Sequence, residues 1–159
     1  MKSNLPVTES GTPHVYHLRV YYEDTDAGGI VYHANYLRFA ERARTEALRE
    51  LGLPHAAMVE QFALMFVVRR VEIDYLRPAR LDDLLSVVTA AVAVGGASAR
   101  LRQAITAEDG TELAVAHVDL ACMGASMGVG ETRPRRIPLQ WRAALASLLA
   151  SDTDKVATI

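Results

Sequence analysis

The chain has 159 residues, of which 50% are hydrophobic and 23% charged, and its formal net charge at pH 7 is −2. A chain of this length folds as one domain that buries about 70% of its unfolded surface. The composition excludes disorder for most of the chain. The nearly balanced charge excludes a large basic surface, so we predict no nucleic-acid partner.

Cysteine usage and the first residues predict the cellular compartment. The single cysteine, Cys122, excludes a framework of intrachain disulfides and fits a reducing cytoplasm. Because Cys122 stands in an apolar run, we predict an inert, packed thiol. We see neither a secretory signal nor an apolar run near the roughly 20 residues of a membrane span. We therefore expect a cytoplasmic protein with no integral membrane association.

The first elements in chain order are a strand and a long helix. Residues 1–13 are predicted to be flexible, and residues 14–22 alternate loosely, as a strand does. A polar loop over 23–29 follows. Apolar residues at helical spacing then predict a helix over 34–51, with Gly52 where a glycine cap belongs.

Strands joined by tight turns make up most of the remaining chain. Alternating polarity and turn residues predict strands over 64–75, 84–94, 97–107 and 111–123, and a short helix is predicted over 139–150. This order predicts an α+β fold, with a largely antiparallel sheet against one long helix. We divide the chain into a flexible segment (1–13), a main domain (14–138) and a C-terminal helix with a frayed tail (139–159).

The loop before the long helix is the richest candidate site. It carries Glu23, Asp24 and Asp26, followed by Gly28 and Gly29. Glycines allow close backbone approach, and a helix N-terminus presents unpaired N–H groups at the positive end of its dipole. A carboxylate facing those groups has two parts needed for acyl transfer, a base or nucleophile and an oxyanion site. An Asp near a helix start is also often only a cap, so composition alone leaves both interpretations open.

A longer motif narrows this choice. Residues 19–36 read RVYYEDTDAGGIVYHANY, and the pattern continues through residues 66–70 and 75–83 and into Pro134-Arg135. This combination closely resembles the signature of YbgC-like acyl-CoA thioesterases, which belong to the 4-hydroxybenzoyl-CoA thioesterase group of the hotdog fold. The resemblance covers about residues 17 to 138.

The resemblance implies a fold, an assembly and a site. The fold is a long central helix wrapped by an antiparallel sheet. The assembly is a homodimer with joined sheets, usually paired into a homotetramer, with active sites at the subunit interface and no metal or redox cofactor. By position, the catalytic carboxylate is Asp26, and the backbone N–H of His33 polarises the thioester carbonyl. Gly28 and Gly29 let that backbone approach.

The implied reaction converts an acyl-CoA and water to a free acid and CoA. Asp26 acts either as a nucleophile that forms a mixed anhydride or as a general base on water, and the sequence leaves both open. One carboxylate suits a thioester, because the thiolate leaves readily and protonating the leaving group is less critical than in amide hydrolysis. The acyl preference is not readable from the sequence.

Other residues near the motif have two interpretations each. The tyrosines that begin and follow the loop are candidates for the acyl pocket or for the core: Tyr22, Tyr32 and Tyr36. The imidazole of His33 either positions substrate or faces solvent. Glu41 forms a helix-face ion pair with Arg44 or faces the active site. The remaining histidines lack metal-ligand spacing, so we predict no metal.

Three arginines are candidates for the CoA phosphates, because a guanidinium makes bidentate contacts with phosphate: Arg77, Arg80 and Arg135. The alternative is a solvated basic edge. The family often has Arg or Lys just before the third hairpin, whereas this chain has Ala93-Val94-Gly95-Gly96. This difference from the family pattern bears on which residues bind CoA and does not affect the assignment of Asp26.

Two rival functions and a cellular context complete the predictions. One rival is a hotdog module that binds acyl groups or acyl carrier protein without hydrolysis. The other is a dehydratase, for which His33 and Glu41 are a poor catalytic pair. The resemblance also suggests a link to the Tol-Pal envelope system and peripheral contact at the inner membrane, although the sequence shows no amphipathic anchor. Acyl carrier protein is a further candidate partner.

Overall fold

The computed structural model describes residues 11–125 and 133–150 of the chain. The strands within these ranges are β1 (His14–Arg19), β2 (Leu64–Tyr75), β3 (Leu84–Val94), β4 (Ser98–Thr106) and β5 (Glu112–Gly124). The α-helices are α1 (Asn35–Glu50), α2 (His55–Phe62) and α3 (Leu139–Ala146). The predicted long helix and the last four predicted strands agree with these bounds to within one residue. The predicted flexible segment and frayed tail fall mostly outside the described residues.

The strands form one antiparallel sheet in the order β1-β3-β4-β5-β2. Its register brings apolar residues into rows across the sheet, because side chains alternate between the two faces. One inward row runs from Ala91 on β3 to Leu101 on β4, then to Val118 on β5 and Val71 on β2. The opposite face carries charged neighbours on adjacent strands. The sheet therefore has an apolar face to cover, as the predicted α+β fold requires.

Helix α1 covers the apolar face of the sheet. Its contact stripe is rich in alanine, and Ala40, Ala43 and Ala47 are at most 2% exposed. Small side chains let the helix axis lie close to the sheet. Phe39 packs in the cluster near β1, and Leu48 packs in a second cluster with Met58, Trp141 and Leu145.

A buried polar network fastens α1 to the middle of the sheet. The Gln103 side chain on β4 is fully buried. Its Nε2 donates to the Ala40 carbonyl and to Thr89 Oγ1, both at 2.9 Å. Its Oε1 accepts a hydrogen bond of 2.9 Å from Arg44. Because every polar atom of the Gln103 amide has a partner, the network fixes the helix against β3 and β4 without an unpaired group.

Strand β2 is an open edge of the sheet in a single chain. It pairs with β5 on one side, and no other strand of the described residues pairs with its second side. The outer half of the strand is largely exposed, including Val68 (47%) and Tyr75 (47%). A long, partly apolar edge with free backbone groups is a template for pairing with another strand.

The first strand is shorter than predicted. β1 ends at Arg19, and Tyr22–Asp24 forms a 3-10 turn rather than continuing the strand. The Asp24 N–H donates to the Tyr21 carbonyl at 3.0 Å, and the Tyr21 N–H donates to the Asp24 carboxylate at 2.8 Å. These local bonds compete with the sheet ladder and turn the chain toward the loop.

Helix α2 was not predicted, and the last helix is shorter than predicted. α2 begins after Pro54 and ends at Phe62, and the next residue, Ala63, has a left-handed φ of 51°. It buries only Met58 fully, so its apolar periodicity is weak. α3 ends at Ala146 because the following residues leave the helix to bond β3: the Ala91 N–H donates to the Leu148 carbonyl at 2.7 Å.

Candidate active site

The loop between β1 and α1 is a small hairpin. The Asp26 N–H donates to the Ile30 carbonyl, and the Tyr32 N–H donates to the Asp24 carbonyl, each at 2.9 Å. Thr25 and Val31 form an antiparallel bridge between these two bonds. The two arms of the hairpin hold Asp26 on one side and lead directly to the start of α1 on the other. The hairpin therefore brings the acidic residue and the helix entrance into one local structure.

Two glycines shape the tip of this hairpin. The Gly28 N–H donates to Asp26 Oδ1 at 2.8 Å, which orients the carboxylate. A Cβ at position 28 would lie 3.1 Å from the same oxygen. Gly29 has φ of +76°, a left-handed conformation that glycine adopts without strain. The Asp26 side chain is exposed, and its other oxygen, Oδ2, has no hydrogen-bond donor among the described residues.

The N-terminus of α1 is left open beside the hairpin. Ala34 occupies the cap position, and no side chain in the described part of the chain caps the helix. Within residues 11–125 and 133–150, no oxygen accepts a hydrogen bond from the backbone N–H of His33 or Ala34. Unpaired N–H groups at a helix N-terminus lie at the positive end of the helix dipole. These donors suit an oxygen that carries negative charge.

A shallow groove of about 320 Å³ borders the helix entrance. Its lining comes from the hairpin, α1 and the end of β2, and includes Ile30, His33, Tyr36, Tyr75 and Arg77. Tyr75 donates its hydroxyl proton to the His33 carbonyl at 2.8 Å, which fixes the backbone there. The pKa of the Tyr75 phenol is raised, first by burial and then by Tyr36. Tyr75 was not among the predicted site residues, although its alternation with Val71 and Ile73 indicates its sheet face.

The predicted tyrosines have different environments. Tyr36 is 3% exposed, and its hydroxyl accepts the Ala79 N–H at 3.1 Å while its ring packs against Tyr75. It is both a core residue and part of the groove wall. Tyr32 is 47% exposed and stacks on the His33 ring at 4.5 Å. Tyr22 is 81% exposed and does not line the groove in this chain.

The three candidate arginines do not meet in one chain. Arg77 lines the groove, and Arg80 lies near it because it bridges to Ile30 of the hairpin. The Arg77 N–H donates to the Leu113 carbonyl at the start of β5. The Arg135 N–H instead donates to the Cys122 carbonyl near the end of β5. At about 3.3 Å per residue, these two points of β5 are ~30 Å apart.

Glu41 and Arg44 do not form the predicted helix-face ion pair. Arg44 donates to Gln103, and Glu41 accepts a hydrogen bond of 3.2 Å from Thr45. Both side chains line a cavity together with His55 of α2. Burial lowers the pKa of Arg44 and of His55, the nearby Glu41 carboxylate opposing both shifts. The sequence had no signal for this cluster, because α2 itself was not predicted.

The described residues contain neither a candidate metal site nor a candidate membrane-spanning helix. No group of three or more His, Cys, Asp and Glu side chains there is arranged to hold a metal ion. None of the helices there is both long and apolar enough to cross a membrane. Cys122 is fully buried, and burial raises the pKa of its thiol, so the thiolate that reacts is disfavoured.

Comparison with solved structures defines the class of fold. A probable thioesterase from Bartonella henselae superposes with a TM-score of 0.73 at 37% identity, over 80% of this chain and all of that one. A 1,4-dihydroxy-2-naphthoyl-CoA thioesterase from Synechocystis has the same fold, with a TM-score of 0.77 at 23% identity over 86% of this chain and 97% of that one. The predicted hotdog fold is confirmed.

Sequence comparison defines the family. Residues 28–114 match the model of the Thioesterase superfamily. The chain is 44% identical over 131 residues to the acyl-CoA thioesterase YbgC of Haemophilus influenzae, covering 82% of this chain and 93% of the relative. It is 42% identical over 121 residues to the acyl-CoA thioester hydrolase YbgC of Escherichia coli, covering 76% and 87%. The chain belongs to the thioesterase superfamily, among its YbgC-like members.

Proposed function

We propose that this protein hydrolyses the thioester of an acyl-CoA to a carboxylic acid and CoA. One observation supports the proposal: the hairpin that carries Asp26 leads directly into the N-terminus of α1, which no side chain of the described residues caps. A carboxylate and backbone donors for an oxyanion are the two groups that acyl transfer needs. The names of the YbgC relatives, acyl-CoA thioesterase and acyl-CoA thioester hydrolase, support the same reaction class.

In the proposed reaction the thioester carbonyl oxygen accepts a hydrogen bond from the His33 backbone N–H. As the tetrahedral intermediate forms, negative charge grows on that oxygen, and the dipole of α1 stabilises it. Asp26 supplies either the attacking oxygen or the base that takes a proton from water. When the intermediate collapses, the carbon–sulfur bond breaks and CoA leaves as the thiolate.

The substrate is held by the surrounding residues. Gly28 and Gly29 keep the hairpin tip free of side chains, and the walls of Tyr36 and Tyr75 border the reacting carbonyl. Tyr32 and the His33 imidazole form the exposed rim. Arg77 and Arg80 meet the CoA phosphates in this proposal, because they lie beside the groove and carry fixed positive charge.

A homodimer completes the CoA site in this proposal. The open edge of β2 pairs antiparallel with the same strand of a second copy, so the start of one β2 faces the end of the other. That pairing brings the end of the partner's β5, with Arg135 of the partner subunit, toward the Arg77 end of this chain. In the dimer, Arg77 of one chain and Arg135 of the partner subunit therefore lie near each other, whereas within one chain their attachment points are ~30 Å apart.

The larger assembly and cellular setting are also proposals. Dimers pair into a homotetramer in the cytoplasm, where a single buried cysteine stays reduced. Acyl carrier protein thioesters are a second substrate class. A Tol-Pal association with peripheral inner-membrane contact follows from the resemblance of the motif and has no separate support in the fold.

Turnover of thioesters by the purified protein tests the proposed function. The protein is incubated with butyryl-CoA, dodecanoyl-CoA, benzoyl-CoA and an acyl carrier protein thioester, and free thiol is followed with a chromogenic reagent. We expect catalytic thiol release from at least one acyl-CoA. Tight binding of an acyl-CoA without thiol release from any substrate identifies a non-hydrolytic binding module and overturns the proposal.

A further inference from the structure

A second, more enclosed cavity lies beside the C-terminal half of α1. It occupies about 260 Å³ between α1, α2, β2 and the segment after α3. Its lining is mainly apolar and includes Leu48, Val59, Met65, Phe66, Val68 and Leu101. Val59 is 44% exposed and Val68 47%, so the cavity opens to the surface between α2 and β2.

The cavity is larger than an ordinary packing gap. An apolar cavity of about 150 Å³ already accommodates benzene. An apolar space of about 260 Å³ that opens to the surface therefore has room for a ligand with a substantial hydrocarbon part.

Apolar side chains make up most of the cavity wall. Two of its charged groups bond to the protein: Arg44 donates to Gln103, and Glu41 accepts a hydrogen bond from Thr45. The His55 ring packs edge-on against Phe66 with the ring centroids 6.3 Å apart. This lining favours an aliphatic group over a charged one.

One face of α1 runs from the helix entrance toward this cavity. Leu37 and Glu41 are four residues apart, so they lie on one side of the helix, and His33 stands four residues before Leu37 at the entrance. Leu48, eleven residues after Leu37, returns to the same side. Leu37 is 39% exposed although it is apolar. At about 1.5 Å per residue, Glu41 at the cavity entrance lies ~12 Å along the helix from His33.

We propose that this cavity receives the distal part of the substrate's acyl group, and that the enzyme acts on medium- to long-chain aliphatic acyl thioesters. The inference rests on the proposed thioesterase function. With its carbonyl at the His33 N–H, the acyl chain follows Leu37 along α1 and enters the cavity beyond Glu41. A short acyl group ends before the cavity and gains none of its contacts. The cavity therefore sets the chain-length preference.

Narrowing the cavity tests this assignment. Val59→Phe from α2 and Val68→Phe from β2 each place a ring at the cavity mouth. Val92→Phe is the matched control, because Val92 is 51% exposed on β3 and lines neither the cavity nor the groove. For each protein, kcat/KM is measured with butyryl-CoA and dodecanoyl-CoA. Thermal unfolding and sedimentation velocity show whether each variant keeps the wild-type fold and assembly.

The expected result is selective. Wild-type protein prefers dodecanoyl-CoA, and both cavity variants lose roughly tenfold or more of kcat/KM for it, as expected for lost contacts in an apolar pocket. Butyryl-CoA turnover stays within about twofold of wild type, and Val92→Phe changes neither substrate. The assignment is overturned if the folded cavity variants have the same kcat/KM values for both substrates as Val92→Phe. It is also overturned if wild-type protein prefers butyryl-CoA. Absence of all wild-type turnover instead contradicts the underlying hydrolase proposal.

If both cavity variants fail to fold, ligand binding to wild-type protein decides the question. Dodecanoate and butyrate are titrated while the fluorescence of the single tryptophan, Trp141, is recorded; its ring packs against Phe62 of α2. We expect a saturable change with dodecanoate and none with butyrate at the same concentration. Equal responses, or none, contradict the cavity assignment.

Discussion

At the residue scale, the candidate site depends on how one carboxylate is held. Asp26 Oδ1 is fixed by the Gly28 N–H, while Oδ2 has no donor among the described residues and faces solvent. This combination orients the carboxylate and leaves one oxygen available. A side chain at position 28 would crowd Oδ1, since its Cβ would lie 3.1 Å away. Glycine at position 28 thus keeps the space beside Oδ1 free of a side chain.

His55 provides a residue-scale prediction about pH. Its pKa is lowered in the folded protein, first by burial and then by Arg44 and Arg49, with Glu41 acting in the opposite direction. Between the lowered folded pKa and the unfolded value of about 6.5, the unfolded chain binds more protons. The His55 contribution therefore favours unfolding as pH falls below that value, and folding as pH rises through it.

We expect His55→Gln to reduce the rise in stability between acidic and neutral pH. Urea unfolding at several pH values measures the free energy of unfolding for wild type and variant. His117→Gln is the control, since His117 lies on the opposite face of the sheet, paired with Arg102 and Glu72. A His55→Gln profile with the same pH slope as wild type would show that His55 does not titrate as described.

At the element scale, the order of helix and strands was predictable and the local departures were not. The alternating polarity of β2 to β5 and the apolar stripe of α1 are strong periodic signals. The predicted bounds of these elements therefore agree with the observed bounds to within one residue. Helix α2 has one fully buried residue and no side-chain cap, so little in its sequence distinguishes it from a loop. The end of β1 depends on Asp24, whose carboxylate competes for backbone N–H groups. The Asp26 motif was readable from sequence, but the cavity beside α2 needed tertiary structure.

The Gln103 network gives an element-scale prediction. Gln103→Leu removes both donor and acceptor, leaving Arg44 without its partner in a partly buried position. We expect the free energy of unfolding to fall by about 2 kcal/mol or more, because an unsatisfied buried polar group bears its desolvation penalty. Urea denaturation measures the loss. Thr89→Val, which removes one hydrogen bond of the network, should cost less, and a neutral Gln103→Leu would contradict the role of the network.

At the scale of the whole molecule, the single chain leaves two features incomplete. No strand of the described residues pairs with the outer side of β2, and the backbones of Arg77 and Arg135 bond to residues near opposite ends of β5. Antiparallel pairing of β2 with a second copy addresses both. The high apolar content of the chain fits this arrangement, because a subunit interface covers apolar surface that one helix cannot.

We predict that the protein in solution contains at least two chains. Each chain is 17.3 kDa, so sedimentation equilibrium should give twice or four times this mass at micromolar concentration. Val71→Lys, placed in the middle of the β2 edge, should shift the equilibrium toward single chains, since charged residues on an edge oppose strand pairing. Thioesterase activity should fall with the fraction of paired chains. A wild-type protein that sediments as one chain and is fully active contradicts the shared site.

The most direct test of the central claim is the effect of Asp26→Asn on thiol release from an acyl-CoA. The substitution keeps the size of the side chain and removes its charge, so it cannot act as base or nucleophile at its former rate. We predict that kcat falls by about 100-fold or more, with thermal unfolding unchanged because Asp26 is exposed. Glu23→Gln, in the same loop, is the matched control and should keep wild-type activity. A folded Asp26→Asn protein with kcat equal to that of wild type would contradict the account.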